Sequence, residues 1–190
     1  SIIHFGSATG FLPGPLQTAY KQLLQEAMVK NIFISFDPNY RHLLFKNNTQ
    51  TFIDQSWYFL EHCKFFKVSD EEAMLLTGKN TLEAAVKVLL EKTKSVFTIT
   101  LGKEGTMIGM DGATEIIPSI PVNPVDTTGA GDAFVGAVLY QLDKQFESGP
   151  FVSKDQWRRI VTNANKAGAR TCEYLGAMEA FRHLSNSIFD

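Results

Sequence analysis

The chain has little of what marks several protein classes. Cysteine is nearly absent: Cys63 and Cys172 are the two among 190 residues, with no CxxC and no Cys/His ligand spacing. That excludes a disulfide framework and a structural zinc site, and it fits a reducing compartment, so the cytoplasm is the expected location. No apolar run approaches the ~20 residues that cross a bilayer, and no basic segment leads the chain, so neither membrane insertion nor secretion is expected. Charge of one sign is lacking as well. Lys plus Arg number 18 against 20 Asp plus Glu, a net charge of -2, and without a dense basic stripe nucleic acid is not an expected partner. His4, His42, His62 and His183 are scattered without ligand spacing and read as surface or packing residues. There is no internal repeat, low-complexity tract or linker; the longest irregular piece is short, at 145–150.

What the chain does have is core. Hydrophobic residues make up 44% and charged ones 20%, and at 21.2 kDa about 70% of the unfolded surface can be buried without covalent staples. A single domain over 1–190 is expected. The run 1–7, closed by Gly6, reads as a strand at 2–5 that begins with no leading loop. Pro13 and Pro15 open a helix with Leu16, Ala19, Tyr20, Leu23, Leu24, Ala27 and Met28 on its apolar face. Unbroken apolar strands at 32–36, 64–68 and 96–101 alternate with helices at 49–62, 69–76 and 81–92, the last with a buried stripe of Leu82, Ala85, Val86, Leu89 and Leu90. Repeated β-α-β of this kind predicts a mainly parallel sheet with helices on both faces. Asp111-Gly112, between strands at 106–110 and 114–117, is a hairpin signal and predicts an antiparallel pair at the sheet edge. Helices at 130–142 and 153–173 complete the pattern.

The chemistry concentrates in Asp126-Thr127-Thr128-Gly129-Ala130-Gly131-Asp132-Ala133-Phe134. Two glycines one residue apart let the backbone turn with its N–H groups converging, and the following helix adds its positive end, which together make an anion hole. No Lys-Ser/Thr follows the glycines, so the loop is not a P-loop, and Phe134 stands where the dinucleotide fingerprint needs a third glycine. Asp132 is a carboxylate in the first helical turn, beside amides suited to an anion. For a phosphoryl group in transfer, such a carboxylate accepts the proton of the attacking alcohol while the amides stabilise the spreading charge. The same residues also fit a plain helix start, with Asp132 favouring the dipole and Thr128 or Asp126 capping.

This nine-residue string resembles the C-terminal signature of the ribokinase-like sugar kinases, the PfkB carbohydrate kinase family. The resemblance implies that Asp132 is the catalytic base and that Gly129, Ala130 and Gly131 form the anion hole. Further segments match in order. Asp37-Pro38-Asn39-Tyr40-Arg41 resembles the family's D-x-N-x-R segment facing the phosphate and substrate region, which implies substrate-side roles for Asp37, Asn39 and Arg41; the segment also reads as a solvated turn. Lys67-Val68-Ser69-Asp70-Glu71-Glu72 is similar to the N-x-x-E segment that arranges water and Mg²⁺ around the nucleotide phosphates, with Ser69 in place of Asn as in fructokinase-like members. Ser69-x-x-Glu72 is equally a capping box, and Glu72 cannot be fully committed to both. Thr100, Gly102 and Gly105 match a T-x-G-x-x-G segment lining the nucleotide site, or form a hairpin entry turn. Asn165 matches a small polar residue beside adenine. Asp126 and Thr128 match positions that bind a monovalent cation in several relatives, so potassium joins ATP and Mg²⁺ as a candidate cofactor.

The implied fold is the three-layer α/β/α ribokinase-like fold with an antiparallel edge hairpin, and the implied reaction is ATP-dependent phosphorylation of a sugar hydroxymethyl group. Fructose leads because 67–72 and 4–7 look fructokinase-like; ribose, 2-keto-3-deoxygluconate and nucleosides stay open, as do a non-catalytic nucleotide-binding fragment and, less well matched, a dinucleotide-binding oxidoreductase. The expected partners are a small sugar and ATP, with a homodimer as a candidate assembly. The resemblance begins partway into the family pattern. The chain is therefore expected to be the C-terminal two-thirds of a longer kinase, without the family's N-terminal strands, β lid and most sugar-contacting residues, with a naturally short paralogue as the alternative.

Overall fold

The computed structural model describes residues 1–6, 8–149 and 152–189; Ser7, at the end of the first apolar run, and Pro150, at the end of the expected irregular piece, lie outside them. Six strands form one sheet in the order β1 (Ile2–Gly6), β2 (Phe33–Asp37), β3 (Phe65–Ser69), β4 (Val96–Thr100), β5 (Thr106–Met110) and β6 (Ala113–Ile117). β1 and β2 pair in parallel with Ile2 opposite Phe33 and Gly6 opposite Asp37, and β2 and β3 with Phe36 opposite Phe66. The hairpin closes the sheet edge as expected. Asp111 and Gly112 have φ of 50° and 75°, the left-handed pair that lets a two-residue turn follow the twist of its strands. Among the described residues no helix is long and apolar enough to cross a membrane.

The chain divides into two compact units, Ser1–Ile99 with Gly109–Thr114, and Thr100–Ile108 with Glu115–Asp190. In the first unit, strand alternation puts Phe5 and Phe36 on one sheet face, against α1 (Pro15–Val29) and α3 (Thr49–Leu60). Phe59 of α3 is the hub: its ring lies 5.1 Å from those of Phe5 and Phe36 and 5.3 Å from that of Phe11. Aromatic pairs at this spacing add about 0.5–1.5 kcal/mol each beyond their buried area.

α1 is less buried than its pattern suggests. Leu24 and Ala27 are buried, but Leu16, Leu23 and Met28 are exposed. The helix touches the sheet along a narrow stripe, with Tyr20 edge-on to Phe5 at 5.4 Å, and the residues flanking that stripe face outward. α4 (Asp70–Thr77) and α5 (Leu82–Lys92) match expectation, the latter burying Ala85, Val86 and Leu89. A short helix, α2 (His42–Phe45), was not foreseen; four residues are too few to show a period.

In the second unit, α6 (Ala130–Ser148) packs on α7 (Lys154–Thr171). α6 runs six residues past its expected end at 142, so residues 145–148 are helical rather than irregular. Gln145, Phe146 and Glu147 carry no breaker, and the helix stops at Gly149, where φ is 143°. The two helices approach closely at Gly168: a Cβ there would lie 3.1 Å from the Ala130 carbonyl.

Candidate active site

In the second unit the glycine-rich loop opens α6. Gly129 is its N-cap, with φ 84° and no side-chain cap, so neither Thr128 nor Asp126 fills the capping role that the plain helix-start reading gave them. Ala130 N–H bonds the Thr127 carbonyl and Ala133 N–H that of Gly129, while among the described residues Gly131 and Asp132 keep their first-turn N–H groups unspent. The Asp132 side chain is exposed in that same turn. Donors and carboxylate are therefore neighbours on one helix end.

Asp126 braces this loop. Its Oδ1 accepts the Thr128 N–H at 2.9 Å and the Thr128 hydroxyl at 2.7 Å, and its Oδ2 accepts the Gly176 N–H at 2.8 Å. These donors, the Thr128 N–H foremost, hold its carboxyl below the usual range. The Cys172 carbonyl accepts both Val125 and Asp126 N–H, and a Cβ on Gly129 would lie 2.6 Å from that of Ala177. Segment 172–177, which follows α7, is thus pressed against the glycine-rich loop. Asp126 and Thr128, the expected cation ligands, are held together in this loop, and a carboxylate with three donors and a hydroxyl that gives its proton both keep acceptor lone pairs.

Asn165 also departs from expectation. It is 6% exposed, its Oδ1 accepts the Thr106 hydroxyl at 2.6 Å, and its Nδ2 donates to the carbonyls of Ile117 at 2.9 Å and Pro118 at 3.3 Å. It ties α7 to the hairpin base, and its head group is spent there instead of facing an adenine. Gly105 is demanded by its own turn: at φ 111° a Cβ would strike the Ile117 carbonyl oxygen, and its carbonyl accepts the Leu101 N–H. Gly102, at φ 59°, has open space around it, and Thr100 ends β4 half-buried.

In the first unit, residues 37–41 and 67–72 meet at the C-terminal ends of β2 and β3, the end of a parallel sheet where ligands bind. Asp37 is 3% exposed, so it is no open substrate contact. Its Oδ2 pairs with Lys67 Nζ at 3.3 Å and its Oδ1 accepts the Asn39 N–H at 3.0 Å. Burial pushes its carboxyl up to about 6, against the pull of Lys67. Asn39 takes φ 48°, and the Tyr40 ring packs on Phe52 at 4.8 Å. Arg41 is exposed at the loop's end.

Glu72 completes this corner. Its Oε2 accepts the Ser69 N–H at 2.8 Å while Ser69 Oγ accepts the Glu72 N–H at 3.1 Å, the full capping box. Its Oε1 accepts the Tyr40 N–H at 2.6 Å. The capping alternative is therefore realised, and both carboxylate oxygens serve backbone amides. No group of three or more His, Cys, Asp or Glu able to hold a metal occurs among the described residues. Lys67 and the Tyr40–Glu72 bond escaped the sequence reading; the alignment of two chemical motifs on adjacent strands was the signal that could have paired them.

This architecture, a mainly parallel sheet with a late glycine-rich loop feeding a helix that carries a carboxylate, is that of the ribokinase-like small-molecule kinases. Aminoimidazole riboside kinase from Salmonella enterica, solved with aminoimidazole riboside and an ATP analogue, superposes with a TM-score of 0.84 at 26% identity, covering 94% of this chain and 58% of that one. A fructokinase double mutant from Vibrio cholerae O395, solved with fructose, ADP and potassium, gives a TM-score of 0.80 at 25% identity over 94% of this chain and 56% of that one. The pattern of the pfkB family carbohydrate kinases matches residues 1–183, and the chain belongs to that family. Fructokinase-1 of Zea mays is 32% identical over 183 residues, 94% of this chain and 54% of the relative. The chain thus spans about half the length of the first curated relatives it matches.

Proposed function

We propose that this chain carries the phosphoryl-transfer part of an ATP-dependent sugar kinase acting on a hydroxymethyl group, with fructose converted to fructose 6-phosphate as the leading reaction. The observation that carries the reading is the start of α6, where unspent first-turn amides and the exposed Asp132 carboxylate share one helix end. In the proposed step Asp132 takes the proton of the sugar hydroxyl as its oxygen bonds to the γ-phosphorus; the bond to the bridging oxygen breaks and ADP leaves. The glycine-rich turn at Gly129, Ala130 and Gly131 stabilises the charge on the transferring group through the unspent Gly131 and Asp132 amides, the Ala130 N–H being held by the Thr127 carbonyl. Thr100, Gly102 and Gly105 keep the nucleotide-lining role that the family resemblance gives them, and Arg41 supplies a fork for phosphate.

Mg²⁺ enters this proposal as an ion borne by the nucleotide, because no acidic cluster able to hold a metal occurs among the described residues and Glu72 serves two amides. Potassium stays a candidate at Asp126 and Thr128, a reading supported by the likeness to the Vibrio cholerae fructokinase solved with that ion. Sequence likeness to fructokinases supports fructose, whereas the structural likeness to the aminoimidazole riboside enzyme supports a riboside as the second reading. A reducing compartment, the cytoplasm, suits Cys63 and Cys172, both free thiols.

The test is ADP release with fructose, ribose and aminoimidazole riboside, for the chain and for Asp132→Asn. A sugar-dependent signal that falls at least a hundredfold in Asp132→Asn, with ATP binding kept, is expected. Near-normal turnover in that variant removes Asp132 as base, and ATP binding without any sugar-dependent turnover favours a nucleotide-binding fragment.

A further inference from the structure

Arg41 lies at the end of a loop whose shape is set by hydrogen bonds to two buried carboxylates. From the β2 side, Lys67 Nζ holds Asp37 Oδ2 at 3.3 Å, and Asp37 Oδ1 takes the Asn39 N–H at 3.0 Å. This bond curls the chain into the left-handed turn at Asn39, φ 48°. From the α4 side, Glu72 Oε1 takes the very next N–H, that of Tyr40, at 2.6 Å, while Oε2 stays on Ser69 at 2.8 Å. Two consecutive amides of the loop are therefore held by two carboxylates, one anchored by a lysine and the other by a helix cap. Lys67 and Glu72 are 8% and 9% exposed, so both act from within the fold.

We propose that Lys67 and Glu72 are positioning residues for Arg41, fixing the 37–41 loop so that the guanidinium is presented to a phosphate-bearing ligand. The inference rests on the proposed kinase reading only in taking that ligand to be the nucleotide. Lys67 neutralises Asp37, which lets a buried carboxylate stay ionised and keep its bond to the Asn39 amide. Glu72 does the same work for Tyr40 with the cap as its anchor, and the Tyr40 ring on Phe52 holds the far side of the loop. Loss of either carboxylate contact therefore frees the backbone that leads into Arg41.

The test uses ATP as probe in calorimetric titration, together with hydrogen exchange of the peptide containing residues 37–41. Glu72→Gln removes the charge that binds two amides at once, and the expected result is lost protection at Tyr40 with ATP affinity weakened about tenfold. Lys67→Met is expected to weaken ATP to a similar degree. Lys67→Arg, which keeps the ion pair, and the double change Asp37→Asn with Lys67→Met, which removes both charges and keeps an acceptor for the Asn39 amide, are each expected to recover affinity to within about threefold. A residue with only a structural role would change stability and leave the affinity of the folded protein alone. Wild-type affinity in Glu72→Gln and Lys67→Met, with Arg41→Gln weakened, overturns the positioning role while sparing the anion role of Arg41. Unchanged affinity in Arg41→Gln removes the anion role and the positioning role with it. If Lys67→Met does not fold, Glu72→Gln and Lys67→Arg decide by the same readouts.

Discussion

Replacing Gly129 by Ala tests the glycine-rich loop most directly, because two separate costs fall on one methyl group. Gly129 sits at φ 84°, where a residue with a Cβ costs about 1–2 kcal/mol. The added Cβ would also stand 2.6 Å from the Cβ and 2.9 Å from the Cα of Ala177, against the 3.5–4.0 Å of a relaxed carbon contact, so the two segments must part by about 1 Å. Segment 172–177 cannot simply swing away, since Cys172 accepts two amides of the loop and Gly176 is tied to Asp126. Overpacking of this kind costs roughly 1–3 kcal/mol, and the sum is about 2–5 kcal/mol. The comparison is Gly112→Ala, at φ 75° with nothing within 4 Å, which should lose only the backbone part. Urea unfolding gives both values, and adding Ala177→Gly to Gly129→Ala should recover part of the steric share. If Gly129→Ala costs no more than Gly112→Ala, segment 172–177 does not press on the loop and the bracing role of Asp126 is wrong. A second readout is ATP affinity, expected to fall in Gly129→Ala as the amides spread.

Asp37 predicts a pH effect on stability. Its folded carboxyl titrates at about 6 against 3.8 for the free group, so the folded state holds the proton more tightly. The corresponding stabilisation is full below the unfolded value and is lost as pH rises through about 6, a change of about 3 kcal/mol for this group. Subtracting the pH profile of Asp37→Asn from that of the wild type should isolate the fall, and a difference that stays flat between pH 4 and 7 contradicts the buried geometry. Asn165→Leu should cost about 3 kcal/mol in thermal unfolding, because it strands the Thr106 hydroxyl and the Ile117 and Pro118 carbonyls. Adding Thr106→Val should recover part of that loss; no recovery would mean that the Thr106 bond carries none of it.

Much of the architecture can be read from local signals. The strands starting at Phe33, Phe65 and Val96 stand out because a strand buried on both faces has to be apolar throughout, and Asp111-Gly112 marks its hairpin because few residues accept two left-handed dihedrals in succession. The exposed flank of α1 could not be seen in this way. Leu16, Leu23 and Met28 satisfy the helical period as well as Leu24 and Ala27 do, and only the width of the neighbouring sheet decides which of them are covered. The end of α6 was misplaced for a related reason: residues 143–148 lack a strong apolar stripe, yet nothing in them stops a helix that is already propagating.

The candidate site divides along the same line. Gly129, Gly131 and Asp132 declare themselves in sequence because a glycine turn and a carboxylate at a helix start are made by consecutive residues. The roles of Asn165, Glu72 and Asp126 depend on which distant amide or hydroxyl reaches them: Thr106 for the first, Tyr40 for the second and Gly176 for the third. A carboxylate or amide side chain has the same formula whether it faces a ligand or the backbone. Sequence alone therefore determined the strands, the hairpin, the loop with its Asp132 carboxylate and the family resemblance, all of which follow from neighbours along the chain. Only the tertiary structure decided which polar side chains are spent inside the fold, because a hydrogen bond is set by proximity in space and residues as far apart as 106 and 165 compete for it.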